Sequence, residues 1–239
     1  MNRFLPKGIS MPHPPAPGHR FHEIQNLLRA YTHADYAFTD TPTRPGPALE
    51  GYLRVISRFP QRGVRVLQEL DDLLSVGLFS PEIADEVDLM PQVRPTEGRG
   101  VEESLSIARD HIRASQQKPG DHSAQAPQMG WEWEECFPEL NQLIGGYFHQ
   151  DFSYEYSSYR EALEDYLCGN PQDDLRQARE EIPQLLAMAE SGQELRRAVA
   201  ALGMGVSPPD GVPLRQWLID IAHVIERHLG GQPLWGEDH

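Results

Sequence analysis

The chain has only two cysteines, Cys136 and Cys168, among its 239 residues. Small secreted domains usually carry several cysteine pairs, so this scarcity favours a reducing compartment over a disulfide framework. No apolar run approaches the roughly 18 residues that a membrane helix needs. Prolines also interrupt the first 20 residues, where a signal peptide would have its apolar segment. We therefore expect a cytoplasmic protein that does not enter a membrane.

Basic residues are also scarce, and the formal net charge is -15. Residues 20–115 contain 11 basic and 15 acidic side chains, whereas residues 132–229 contain 7 basic and 18 acidic ones. The negative charge is thus concentrated in the second half. Such a surface disfavours direct binding to nucleic acid or to an anionic membrane, and it favours a basic partner.

The sequence matches itself at an offset of 116 residues. Residues 21–36, FHEIQNLLRAYTHADY, align without a gap with residues 137–152, FPELNQLIGGYFHQDF. The order is kept further along, where ALEGYL at 48–53 matches ALEDYL at 162–167 and ELDDLL at 69–74 matches EIPQLL at 181–186. These matches predict a tandem duplication of a module of about 95 residues.

Helical spacing of apolar residues dominates both copies, so the sequence predicts an all-α fold of two modules with about five helices each. A short hairpin or turn is the only other structure that we expect, ahead of the last helix. Pro183 should kink or restart the helix that contains it. The predicted organisation is a Pro-rich tail (1–19), a divergent first module (20–115), a linker (116–131), a second module (132–230) and a C-terminal tail (231–239).

The second copy resembles the immunity proteins of bacterial contact-dependent growth inhibition systems. FPELNQLIGGYFHQDF, the ALEDYL helix and the closing LRQWLIDIAHVI carry the resemblance, which covers about residues 136–229. It implies a small, mostly helical, non-enzymatic cytoplasmic protein, encoded beside a polymorphic toxin, which protects the producing cell by binding the toxin domain. The first copy departs from this pattern with Thr32, Ala34 and a longer Pro-rich connector.

A His-x-Asp pair recurs in both copies, within the motifs that contain Tyr31, His33 and Asp35 and Tyr147, His149 and Asp151. One interpretation is a metal site or an acid–base pair, but a zinc site needs three or four ligands. The favoured interpretation is structural, because a histidine near a helix end interacts with the helix dipole and an aspartate can cap the next turn. We predict no catalytic, metal or cofactor site, since nucleophile elbows and Gly-rich phosphate loops are absent from the sequence.

An acidic, tyrosine-rich segment follows the second motif and is the predicted partner-binding surface. Tyrosines give contact area at a small cost in conformational entropy, and carboxylates steer and pair with basic side chains. Two tryptophans in WEWEECF are further candidates, although the favoured interpretation is that they pack against the next helix. The candidates are Trp131, Trp133, Asp151, Tyr154, Glu155, Tyr156, Tyr159, Glu161, Glu164 and Asp165.

The leading hypothesis is therefore an immunity protein whose partner is a basic toxin domain. A toxin that acts on nucleic acid fits this charge, because enzymes with polyanionic substrates tend to be basic. One alternative is a helical scaffold that binds two partners, one on each module. A less favoured alternative is a metal-dependent enzyme that uses the His-x-Asp pairs.

Overall fold

The computed structural model describes residues 21–35, 37–77, 94–117 and 126–235. The predicted N-terminal tail, residues 118–125 of the predicted linker and residues 236–239 of the C-terminal tail lie outside this part of the chain. Within it the helices are α1 (His22–Thr32), α2 (Pro47–Arg58), α3 (Pro60–Val76), α4 (Val101–Gln117), α5 (Gly130–Cys136), α6 (Pro138–Tyr147), α7 (Phe152–Glu155), α8 (Tyr159–Gly169), α9 (Gln172–Met188), α10 (Gly192–Ala201) and α11 (Leu214–Leu229).

The all-α prediction is confirmed, with one small addition. Strands β1 (Ala37–Phe38) and β2 (Arg94–Pro95) form a parallel pair of two residues each. Ahead of α11 the turn alternative is found: the Val212 N–H donates to the Pro209 carbonyl over 2.9 Å, and Gly203 and Gly211 have positive φ. None of the helices in the described residues is long and apolar enough to cross a membrane.

Local signals explain where several helices begin and end. Ser158 caps α8 by accepting a hydrogen bond from the Glu161 N–H, and Ser191 forms a capping box with Glu194 at the start of α10. Helix α9 continues through Pro183, so the predicted restart does not occur. Arg179 and Pro183 are both exposed, so water can reach the Arg179 carbonyl that loses its usual N–H donor.

The two halves of the chain pack their helices in the same order. Helix α1 packs on α2 and α3, and α3 packs on α4; likewise α6 packs on α8 and α9, and α9 packs on α11. Helices α3 and α9 both have 17 residues. Residues 78–93, which would include a first-half counterpart of α10, lie outside the described ranges.

One buried hydrogen bond recurs in both halves. The Ile24 N–H donates to Glu69 Oε2 over 2.9 Å, and the Leu140 N–H donates to Glu181 Oε2 over 2.9 Å. In each case a glutamate from the third long helix satisfies the free backbone N–H of the first helix. The two pairs occupy the positions that the sequence alignment matches. Duplication itself stays a prediction, which these equivalent contacts support.

Helix α5 joins the two halves, and it packs against α2, α6 and α10. On the α2 side, Arg54 donates from Nε to Glu132 Oε2 and from a terminal nitrogen to Glu132 Oε1, both over 2.8 Å. The Glu132 side chain is 0% exposed, and that of Arg54 is 7% exposed. Helix α4 reaches Gln117 and α5 begins at Gly130, so both helices extend into the predicted linker range.

Candidate partner-binding surface

The predicted surface lies on α7 and α8, beside an aromatic cluster. The rings of Phe148, Phe152, Tyr159 and Trp217 contact one another, with centroids 5.0 to 6.3 Å apart. The Tyr159 hydroxyl also donates to the Ser207 carbonyl over 2.8 Å. These contacts fix the short α7 against α11 and thereby set the position of the side chains that point outward.

Tyr154 is the most exposed aromatic side chain of the surface. It lies on α7, is 89% exposed and has a large area open to solvent. Exposed tyrosines are well suited to binding because the ring is rigid and its hydroxyl can form a hydrogen bond. In the neighbouring residue Glu155, the Oε2 atom lies 3.3 Å from His149 Nε2.

The carboxylates of α8 are exposed but held in place by neighbouring groups. Glu161 Oε2 accepts hydrogen bonds from the N–H and hydroxyl of Ser157, and these bonds lower the pKa of Glu161. Hydrogen bonds from Arg160 and Trp235 lower the pKa of Glu164. Asp165 accepts a 2.8 Å hydrogen bond from Tyr156, whose pKa is raised to about 12 by partial burial and by this bond. Glu161 and Glu164 therefore keep their negative charges at neutral pH.

A second acidic group lies behind this surface and was missed by sequence reasoning. Glu139 at the start of α6 and Asp174 and Glu181 on α9 all lie close enough to Tyr166 of α8 to raise the pKa of its phenol, which burial raises most. We call these four residues the acidic cluster. Tyr166 connects it to the surface, because its ring contacts Tyr147, whose ring stacks on Tyr156. The signal was present in the repeat, where Asp174 aligns with Arg62.

The comparison with family models identifies the second half. Residues 136–225 match the family model of the CdiI immunity protein. The matched segment begins at the last residue of α5 and ends within α11, so it contains the whole α7–α8 surface and the acidic cluster. This segment is similar to CdiI immunity proteins, a family of toxin-neutralising proteins by its name. Neither the curated proteins nor the solved structures gave a match to the chain.

The YFHQD motif of the CdiI-like segment forms a local turn. His149 Nδ1 lies 3.1 Å from the Asp151 N–H, which donates to it, and Asp151 then precedes α7. Tyr147 lies in the aromatic contacts described above. These are contacts within one helix connection, and they position Tyr154 and Glu155.

The corresponding motif in the first half has other contacts. Tyr31 is buried, stacks on Phe38 and donates to Asp40 over 2.7 Å. His33 stacks on Trp131, with ring centroids 6.1 Å apart, and Asp35 has a φ of 49°. In the part of the chain that the structure describes, three or more His, Cys, Asp or Glu side chains nowhere come together as metal ligands would.

Trp131 and Trp133 are not available on the surface. They are 5% and 8% exposed, respectively, and the Trp133 ring stacks on Phe137 at 6.0 Å. Trp131 packs over Gly51, where an added Cβ would lie 2.6 Å from its ring. Both indoles are therefore interior packing groups of the junction around α5, and we leave them out of the proposed surface.

The buried cysteine Cys136 does not provide an activated nucleophile. Burial raises the pKa of the Cys136 thiol to about 12, so this thiol is protonated at neutral pH. Cys168 is exposed on α8.

Proposed function

We propose that this chain is a non-enzymatic immunity protein that binds and neutralises a cognate toxin domain in the cytoplasm of the producing cell. The observation that carries the proposal is the CdiI immunity protein match over residues 136–225, because this segment contains the acidic α7–α8 surface. The net charge of -15 supports a basic partner. Such a charge suits a toxin that acts on nucleic acid.

The second half supplies most of the toxin contact in this proposal. Its α8 exposes Glu161 and Asp165 and partly exposes Glu164, and α7 exposes Tyr154. Their carboxylates attract a basic surface over a distance that depends on salt, and the tyrosine gives contact area. We propose that the first half is a divergent copy of the same module, which supports the second half through α5.

The test is calorimetric titration of the full chain with the toxin domain encoded beside it, at two salt concentrations. We expect tight binding that weakens with salt. The variant Glu161→Lys, Glu164→Lys, Asp165→Lys should lose at least about tenfold in affinity, because three attractive charges become repulsive.

The control variant makes the same charge change on the first half, at exposed positions of α4. Glu102→Lys, Glu103→Lys, Asp110→Lys should retain nearly all of its affinity, and circular dichroism should show both variants folded. Equal losses in the two variants would mean that only net charge matters and would remove the α7–α8 surface from the proposal. A wild-type chain that does not bind the toxin domain would contradict the function itself.

A further inference from the structure

The first half contains a polar cluster at the position that matches the acidic cluster. Glu23 of α1, Tyr52 of α2, and Arg62 and Glu69 of α3 form it. Arg62 Nε donates to Glu23 Oε2 over 3.1 Å, and the Tyr52 hydroxyl lies 3.5 Å from the same oxygen. Glu69 lies beside them and accepts from the Ile24 N–H. The Arg62 guanidinium thus pairs with the buried Glu23 carboxylate where three helices meet.

The second half keeps every member of this cluster except the cation. Glu139, Tyr166 and Glu181 occupy the positions of Glu23, Tyr52 and Glu69, as the equivalent hydrogen bonds of Glu69 and Glu181 show. Arg62 is the third residue of α3, and the third residue of α9 is Asp174. A positive side chain is therefore replaced by a negative one.

In the second half two buried polar atoms have no hydrogen-bond partner among the described residues, Glu139 Oε2 and the Tyr166 hydroxyl. Tyr166 is 0% exposed, so water does not satisfy its hydroxyl from outside. In the described residues no arginine, lysine or histidine forms an ion pair with Glu139, Asp174 or Glu181, and the nearby Arg176 pairs with Asp173. Buried polar groups are usually paired, so such a gap indicates an absent partner group.

We propose that the acidic cluster binds the guanidinium of an arginine from the toxin, at the position that Arg62 fills in the first half. The inference rests on the proposed function. A planar guanidinium has five donors, and Glu139 and Asp174 are partly exposed, so their carboxylates can be reached from outside. A metal ion fits less well, because these carboxylates do not converge as metal ligands do in the described residues.

In the first half, a neighbouring segment of the chain covers the polar cluster. This supports an external partner for the acidic cluster of the second half. Arg62 also pairs with Glu135 of α5, over 2.8 Å, so the segment that follows the first half closes its cluster. After the second half, Trp235 contacts Glu164 and Arg160 on α8.

The test is Asp174→Arg, which places the missing cation in the chain itself. We expect a higher unfolding midpoint, because the new guanidinium pairs with Glu139 as Arg62 pairs with Glu23. We also expect toxin affinity to fall on the order of a hundredfold, because the toxin arginine is excluded. The control is Asp173→Arg, which makes the same charge change at the neighbouring, exposed position of the same helix turn and should show neither effect.

The possible outcomes distinguish a failure of this inference from a failure of the proposed function. If the wild-type chain does not bind the toxin domain, the proposed function fails, and this inference fails with it. If the wild type binds and Asp174→Arg binds equally well, only the inference fails, and an unfolding midpoint that does not rise also overturns it.

A second variant covers the case in which Asp174→Arg does not fold. Glu139→Gln keeps the shape and removes one charge, so it should fold and lose about tenfold in affinity. Unchanged affinity in this variant would overturn the inference. Toxin variants with single arginines changed to alanine then locate the partner side chain, since the relevant one should affect binding to the wild type but not to Asp174→Arg.

Discussion

Glu23 and Glu139 occupy matching positions at the start of α1 and α6, but their surroundings differ. Glu23 is 3% exposed and pairs with Arg62, whereas Glu139 has a buried oxygen without a partner. Burial raises the pKa of Glu139, and the nearby Asp174 raises it further. The same residue type therefore stabilises one half and, when ionised, opposes folding of the other.

The pH dependence of stability should reveal this difference. A carboxyl group with a raised folded pKa contributes stability below its unfolded pKa, and the contribution is lost as pH rises through the folded value. Glu139→Gln should therefore raise the unfolding midpoint at pH 7, and its advantage over the wild type should shrink as pH falls towards about 4.5. Thermal denaturation, followed by circular dichroism from pH 7 down to about pH 4.5, measures the difference in unfolding midpoint between the variant and the wild type.

Glu23→Gln is the matched control for this measurement. It removes the same charge but breaks the ion pair with Arg62, so it should lower stability at pH 7 by on the order of 3 kcal/mol. Effects of the same sign in the two variants would contradict the assignment of opposite roles.

At the scale of helices, serine side-chain caps mark where α8 and α10 begin. Ser191 accepts from the Glu194 N–H over 3.1 Å, and Glu194 Oε2 accepts from the Ser191 N–H over 2.9 Å. These bonds satisfy N–H groups at the start of α10 and orient this helix against α5. The cap thus contributes to the junction between the two halves.

Ser191→Ala should lower the free energy of unfolding by about 1 kcal/mol, because α10 loses its capping oxygen. Urea denaturation measures this loss. Ser191→Asp supplies another good capping oxygen and should retain most of the stability. An equal loss in the aspartate variant would show that packing at this position matters more than the cap.

The helices that the sequence predicted are those with long apolar stripes and clear caps. In the second half α6, α8, α9, α10 and α11 follow this rule. The segment GWEWEEC forms α5, which has only seven residues and shows no helical period, so the sequence did not predict this helix. The favoured interpretation, that its tryptophans pack inside, agrees with their burial. The outward carboxylates of α8 could be predicted from periodicity. The repeat aligns Asp174 with Arg62, but that Asp174 lies beside Glu139 and Tyr166 follows only from how the helices pack.

At the scale of the whole molecule, the Arg54–Glu132 pair connects the halves through a buried, bidentate contact. Its two side chains are almost completely removed from solvent, so neither charge is stabilised by water when the other is absent. The pair therefore makes the stability of the first half depend on where α5 lies.

Replacing one residue of the Arg54–Glu132 pair should lower the free energy of unfolding far more than replacing both. Glu132→Leu should lower the free energy of unfolding by about 3–5 kcal/mol, because Arg54 is left buried and unpaired. The double variant Arg54→Met, Glu132→Leu should recover most of the loss, since apolar side chains of similar volume fill the space. Urea denaturation of both variants gives the comparison, and a double variant less stable than Glu132→Leu would contradict this account.

Helix α5 follows the connecting segment in sequence, yet its contacts reach back to α2. The attachment of the two halves therefore does not depend on the covalent chain between Gln117 and Ala126. Because Trp131 over Gly51 and the Arg54–Glu132 pair lie on the far side of that connection, a protease cut within it would leave a two-chain complex. Gel filtration would then show one species, and denaturing electrophoresis would show two fragments.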